Sequence, residues 1–264
     1  MKKAIFFDID GTLLNCTRGI ETITPNVEKA IRKLQAHGDY IFIATGRPYA
    51  FLSKELLEFG FDGFILTNGA QVILHNETIY KKPMDKGFVK QLIQTSESHD
   101  IQYILEGAHD SYMKASYKEF YAFYETFGIY RENIKDEYDL EEIEVHKVEA
   151  LCPNKEALEI CLSFLNEYPE YEHFESMDLK SVEIYSRENT KATGILETLK
   201  YLDIPIERSY AFGDGKNDIE MLEVVGCGIA MGNASEEVKK YANKVTDTVQ
   251  NDGVAIGIEK YILS

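Results

Sequence analysis

Two carboxylates stand one residue apart in the stretch FFDIDGTL, residues 6 to 13, at the end of an apolar run and directly before a glycine. Alternation along a strand would turn Asp8 and Asp10 to the same side. Like charges held that close resist joint ionisation unless a cation or a shared proton relieves them. The pair therefore asks for a metal or for acid–base chemistry. Two further apolar runs have the same form, IFIATG delivering Thr45 and YAFGDG delivering Asp214. In open parallel sheets ligands bind outside the carboxyl ends of the strands, so these residues, far apart in the chain, are predicted to converge on one site. The glycine beside each permits the close backbone approach that a ligand needs.

The elements that must hold them read as a strand–helix alternation in both outer thirds. Ala4 to Phe7 is a strand candidate, and Thr24-Pro25-Asn26 opens a helix with Val27, Ala30, Ile31 and Leu34 at helical spacing. A strand from Tyr40 to Ala44 follows, then a helix from Pro48 with Phe51, Leu52, Leu56 and Phe59 on its apolar side, and a strand from Gly63 to Leu66. The grammar returns late in the chain: helix Ala192 to Leu202, strand Tyr210 to Phe212, helix Asn217 to Val224, strand Gly228 to Ala230, helix Ser235 to Ala242. Such alternation predicts an α/β fold with a Rossmann-like parallel sheet. The middle is different, rich in tyrosine and phenylalanine, with KASYKEFYAFYETFG as the densest cluster and the reading of a packed core. Residues 83–186 are accordingly read as an inserted α+β module, and 1–82 with 187–264 as the core domain.

Composition narrows the partners. Against 28 Lys plus Arg stand 45 Asp plus Glu, a formal charge of −17 over 264 residues. A field of that sign disfavours nucleic acid and anionic membrane surfaces, and an anionic substrate would need local cations to hold it. The N-terminal MKKAIFFDID has too short an apolar run for a signal peptide or a membrane span, so a cytoplasmic location is expected. Cys16, Cys152, Cys161 and Cys227 show no paired spacing and read as buried reduced thiols. None of the six histidines lies in a motif.

The set DIDGT, ATGR, Lys191 and GDGKND resembles the haloacid dehalogenase superfamily of phosphohydrolases, and the long insert after ATGR makes the chain similar to its Cof-type branch with a large type IIB cap. AMGNA at Ala230 to Ala234 matches that branch too, and the resemblance covers nearly the whole chain. One departure is that Lys191 precedes Ala192 and Thr193 where many relatives have lysine then glycine, which bears on the shape of that loop. The resemblance implies a Mg²⁺-dependent phosphatase for small phosphomonoesters, sugar phosphates or phosphorylated cofactors, with residues 83–186 as the specificity-setting cap. Asp8 would be the nucleophile of an aspartyl-phosphate mechanism and Asp10 its acid–base partner. Asp8, the backbone carbonyl of Asp10 and Asp214 would hold Mg²⁺, with Asp218 accepting from metal waters or from Lys191. Lys191, the Thr45 hydroxyl and the backbone of Ile9 and Gly46 would cradle the phosphoryl oxygens, and Asn217 and Asn233 would lie near them. Arg47 fits either a phosphate contact or a surface ion pair. A phosphotransferase or mutase would use the same intermediate. A noncatalytic phosphometabolite-binding protein is the other alternative, and the intact Asp8, Asp10 and Lys191 speak against it. A monomer or small homo-oligomer is expected.

Overall fold

The computed structural model describes residues 2–126, 128–176 and 181–264. Its contacts group the chain into two units: Met1–Gly46 with Ser53–Lys81 and Thr190–Ser264, and Arg47–Leu52 with Lys82–Asn189. The strands in chain order are β1 (Ala4–Phe7), β2 (Tyr40–Ala44), β3 (Gly63–Leu66), β4 (Gln71–Leu74), β5 (Glu77–Lys81), β6 (Gln102–Gly107) and β7 (Ser111–Tyr112). They continue as β8 (Ile134–Lys135), β9 (Val145–Leu151), β10 (Tyr171–Ser176), β11 (Ser181–Ser186), β12 (Ser209–Gly213), β13 (Cys227–Ala230) and β14 (Lys244–Val245). The helices are α1 (Pro25–Ala36), α2 (Lys54–Glu58), α3 (Lys86–Ser98), α4 (Lys118–Glu125), α5 (Lys155–Leu165), α6 (Lys191–Leu202), α7 (Ile219–Val224), α8 (Glu236–Lys239) and α9 (Gly253–Tyr261). Among the described residues no helix is long and apolar enough to cross a membrane.

The first unit is an eight-stranded sheet in the order β14-β13-β12-β1-β2-β3-β4-β5. Strand β1 is central and parallel to both neighbours, with Phe7 in register with Phe212 on one side and Ile43 on the other. All four of its residues are buried, as expected of a parallel strand covered on both faces. Rings stack across the strands, Phe6 on Phe42 at 5.1 Å and Phe7 on Phe212 at 5.3 Å between centroids. Strands β4 and β5 extend the sheet antiparallel, an extension the helix–strand grammar did not foretell. His75 and Asn76 make the turn between them with φ of 48° and 69°, the left-handed pair that a two-residue hairpin demands.

Local chemistry sets the helix ends. Thr24 caps α1 by accepting from the Val27 amide, Pro25 opens it, and Val27, Ala30, Ile31 and Leu34 form its buried stripe. The single helix expected from Pro48 is broken in two. A 3₁₀ turn spans Tyr49–Phe51, and α2 starts afresh at Lys54 because Ser53 takes an extended conformation and its hydroxyl accepts from the Leu56 amide. Expected helix 217–224 likewise begins as a 3₁₀ turn, Lys216–Asp218, before α7, and expected helix 235–242 contracts to α8 behind its Ser235 cap.

The second unit is a six-stranded sheet, β10-β11-β9-β6-β7-β8. Helices α3 and α5 press Phe88, Leu92, Cys161 and Leu165 onto a face carrying Tyr103, Leu105, Val148, Ala150 and Val182. A second cluster joins Phe120, Tyr121 and Tyr124 of α4 to Ile104 and Phe51. The aromatic stretch around α4 is thus core, with Phe127 outside the described residues. Phe51 against Tyr124, 5.2 Å between ring centroids, is what draws Arg47–Leu52 into this unit. Junctions fall at Lys81/Lys82 and Asn189/Thr190, against the expected 82/83 and 186/187. Cys152 and Cys161 are buried, whereas Cys16 is exposed in a 3₁₀ turn and Cys227 half-buried at the start of β13, so the buried-thiol reading fails for those two.

Helix α6 reaches the sheet through a glycine. A Cβ on Gly194 would lie 2.4 Å from Ile65 Cγ2 and 3.3 Å from the Gly69 Cα. Glycine to alanine inside a helix ordinarily stabilises by about 1 kcal/mol. Here the overlap reverses the sign, and Gly194→Ala is expected to cost about 1–3 kcal/mol, read as a lowered urea midpoint. A midpoint raised by the substitution would show that the α6–β3 contact can relax.

Candidate active site

The register of the central strands dictates what meets at their carboxyl ends. One residue beyond Phe7 is Asp8, whose amide donates to the Phe212 carbonyl at 3.0 Å. Beyond the paired Phe212 come Gly213 and Asp214, and beyond Ile43 come Ala44 and Thr45. The turn after β1 closes on the Ile9 carbonyl, which accepts from the amides of Thr12, Leu13 and Leu14 at 3.2, 3.0 and 2.9 Å. Gly11, at φ +88°, lies so close to Asp214 that a Cβ there would be 2.2 Å from Asp214 Oδ2. Only glycine allows both the backbone sign and the approach.

Lys191 is the first residue of α6, whose cap Thr190 accepts from the Thr193 amide at 3.1 Å. Its side chain is completely buried and its ammonium donates to Asp8 Oδ1 at 2.7 Å and to Asp218 Oδ1 at 2.6 Å. The other oxygen of Asp218 accepts from the amides of Asp214 and Gly215, both at 2.9 Å. Asp218 thereby spends its acceptors on fixing Lys191 and the turn that carries Asp214.

Asp8, Asp214 and Asp218 each offer an oxygen within 4.8 Å of the others. Three carboxylates with one ammonium leave a surplus of negative charge in a buried place. Burial, then the charges of Asp218 and Asp10, push the Asp8 carboxyl well above its ordinary range, although Lys191 opposes this. Asp214 is pushed up to about 6 by burial and by Asp218, opposed by Lys191 and the Asn233 amide. Burial alone would depress Lys191, but the Asp218 and Asp8 carboxylates outweigh it and hold the ammonium above its usual value. A hard, all-oxygen donor set with unbalanced negative charge suits a divalent cation, which would favour the ionised carboxylates.

The remaining expected residues divide. Thr45 is buried and its amide donates to the Ile65 carbonyl at 2.9 Å. Gly46 follows it near two amide side chains, since a Cβ there would be 3.0 Å from Asn68 Oδ1 and 3.6 Å from Asn217 Nδ2. Asn217 Nδ2 donates to Asn68 Oδ1 at 3.2 Å. Asn233 ties loops together: its Nδ2 donates to the Gly11 carbonyl at 2.9 Å and to Asp214 Oδ2 at 3.0 Å, and its Oδ1 accepts from the Val249 amide at 2.9 Å. Asp10 is exposed, and its side chain is outside the three-carboxylate group although its charge acts on Asp8 and Asp214. Arg47 groups with the second unit, where its guanidinium donates to the Phe51 carbonyl at 3.3 Å.

Sequence reasoning passed over Asn68 and Gly69. Both sit in the TNGA stretch directly after β3, and an Asn-Gly pair at the carboxyl end of a strand is a signal for a left-handed turn. A Cβ on Gly69 would lie 1.9 Å from the Thr190 carbonyl oxygen, so this turn abuts the residue that leads into Lys191.

A family model described as haloacid dehalogenase-like hydrolase matches residues 5–258. YkrA of Bacillus subtilis (strain 168), provisionally named a phosphatase, is 33% identical over 263 residues, covering 98% of this chain and 97% of that protein. From the same organism, YitU, named 5-amino-6-(5-phospho-D-ribitylamino)uracil phosphatase, is 31% identical with 97% and 96% covered. Among solved structures, the subclass IIB sugar phosphatase BT4131 superposes with a TM-score of 0.82 at 29% identity, covering 98% of this chain and 99% of that one. The strand-end carboxylates, the buried lysine and these matches make one statement: the chain belongs to the haloacid dehalogenase superfamily of hydrolases and is a phosphatase of its Cof-type, subclass IIB branch.

Proposed function

We propose that this phosphatase hydrolyses small phosphorylated metabolites with Mg²⁺ and through an aspartyl-phosphate on Asp8. The observation that carries the reading is the buried Asp8–Lys191–Asp218 chain with Asp214 beside it. Asp8 Oδ attacks phosphorus in line, the P–O bond to the leaving group breaks, and Asp10 gives that alkoxide its proton. Asp10, now a carboxylate, takes a proton from water as the water attacks the acyl phosphate and frees Asp8. Lys191 stabilises charge on the equatorial oxygens, with the Thr45 hydroxyl, the Ile9 and Gly46 amides and Asn217 as further donors. Mg²⁺ bound by Asp8, Asp214 and the Asp10 carbonyl would supply charge that keeps Asp8 ionised and polarises the phosphoryl group.

Specificity is assigned to the second unit. One face of its sheet carries Glu106, Lys147, Glu149 and Glu183, with Lys147 Nζ 3.1 Å from Glu106 and 3.4 Å from Glu183. A polar face of this kind suits hydroxyl-bearing groups, and the similar proteins YitU and BT4131 are named for a ribityl phosphate and for sugar phosphates. Sugar phosphates and phosphorylated cofactors therefore head the candidate substrates.

Asp8→Asn is expected to lower Mg²⁺-dependent phosphate release from p-nitrophenyl phosphate at least about a thousandfold while the far-ultraviolet circular dichroism is kept; substantial residual turnover would remove Asp8 as nucleophile. Lys191→Ala is expected to lose about 3 kcal/mol of transition-state stabilisation, roughly a hundredfold in kcat. It also strands two buried carboxylates, which lowers the melting temperature. Full activity in that variant would take Lys191 out of the cradle.

Protons and Mg²⁺ compete at Asp214. Its carboxyl, at 3.8 in the unfolded chain and about 6 in the fold, contributes stability to the metal-free protein that is complete below the lower value and lost as pH rises through the upper one. The metal needs the ionised form. Calorimetric Mg²⁺ affinity should accordingly be level above about pH 7 and fall up to about tenfold per unit below about 6. An affinity flat across that range would separate Asp214 from the metal.

A further inference from the structure

The turn Thr67–Gly69 after β3 holds three successive residues at positive φ, 47°, 54° and 94°. A left-handed conformation is costly for any residue with a Cβ and most of all for a β-branched one such as Thr67. Thr67 is also buried, with a hydroxyl that has no hydrogen-bond partner among the described residues. Such a conformation persists only where surrounding structure over-determines it, and it marks places where geometry matters more than stability.

What the turn achieves is the placement of Asn68. Its amide donates to the Thr45 carbonyl at 3.1 Å. Its side-chain oxygen accepts from Asn217 Nδ2 at 3.2 Å and lies where a Cβ on Gly46 would be 3.0 Å away. Gly69, the next residue, is packed on the Thr190 carbonyl, one residue before Lys191. One strained turn therefore touches the end of β2, the Lys216–Asp218 turn and the start of α6, all of which carry site residues. Asn217 itself is exposed, and an exposed amide side chain left alone would sample several rotamers.

We propose that Asn68 is a positioning residue of the active site, whose side-chain carbonyl fixes the Asn217 amide beside the Thr45–Gly46 backbone so that its second N–H is aimed at the bound phosphoryl group. This deepens the phosphatase reading above and rests on it. Asn68 touches no substrate; it removes the rotamer freedom of the residue that does. Asparagine suits the position twice over, because it tolerates left-handed backbone better than most residues and its short amide bonds locally.

The test is a double-mutant cycle with Asn68→Gly and Asn217→Ala. Glycine accepts φ 54° without strain, so Asn68→Gly removes the side chain while leaving the turn able to form, which an unchanged melting temperature checks. Asn68→Gly is expected to reduce kcat/KM for p-nitrophenyl phosphate about tenfold, and to reduce it no further when Asn217 is already alanine. In metal-loaded but substrate-free protein, the ¹⁵N side-chain amide signal of Asn217, identified by its loss in Asn217→Ala, should shift in Asn68→Gly. Losses that multiply in the double variant, an Asn68→Gly variant with the activity of the parent, or an unmoved Asn217 signal would each overturn the proposal. A parent protein that releases no phosphate would instead bring down the phosphatase reading, while the amide signal would still report whether Asn68 holds Asn217.

Discussion

The structure turns on a surplus of buried negative charge. Asp8, Asp214 and Asp218 each bring an oxygen within 4.8 Å of the others, and one ammonium, that of Lys191, bonds two of them, Asp8 and Asp218. Buried ions without full compensation are costly, and the fold meets part of that cost by using both oxygens of Asp218 for named partners, Lys191 and the amides of Asp214 and Gly215. Glycines make the convergence possible: a Cβ on Gly213 would meet Asp218 Cβ at 2.6 Å, and one on Gly11 would collide with Asp214. The crowding of three carboxylates around one ammonium is of a kind that a divalent ion would relieve.

The scaffold around the site is densely buried. Strands β1 and β3 are buried along their length and β2 and β12 at all but Tyr40 and Tyr210, and Phe6, Phe42, Ile65 and Leu199 belong to one core cluster. Burying such side chains stabilises by about 1.5–3 kcal/mol each, which can offset strain and charge concentrated at the strand ends. Helix α6 carries the lysine into that core and packs against β3 through Gly194, so the position of Lys191 is set by backbone packing as well as by its ion pairs.

How much of this was legible in the sequence follows from the range of each interaction. Asp8, Thr45 and Asp214 could be placed together because each is a local feature, an oxygen side chain at the end of an apolar run, and parallel sheets bring strand ends together. Helix α1, Pro25–Ala36, was readable from equally local signals, Thr24 and Pro25 at its start and an apolar stripe along it. The β4–β5 hairpin was not, since its turn residues His75 and Asn76 adopt left-handed backbone without a glycine. The break before α2 depends on whether Ser53 caps or continues a helix, a choice that local pattern leaves open. Arg47 sits in a motif by sequence, yet its segment follows Phe51 into the second unit's aromatic cluster. Asn68 escaped notice because its partner Asn217 is 149 residues away and the contact exists only once β1, β2, β3 and β12 are in register.

Asn233 shows how such long-range ties shape chemistry. It donates to Asp214 and to the Gly11 carbonyl while accepting from the Val249 amide. A carboxylate that accepts a hydrogen bond is both oriented and favoured in its ionised form, so Asn233 orients Asp214 and works against the opposing effect of burial. It also clamps the turn after β1 to the turn after β12, the two segments that supply Asp8 and Asp214. Removing it would loosen Asp214 and its setting together, an effect that geometry held by neighbouring side chains makes larger than one hydrogen bond. The strand-end carboxylates are thus the visible part of a site whose geometry is tied together by amide side chains, Asn233 on one flank and the Asn68–Asn217 pair on the other.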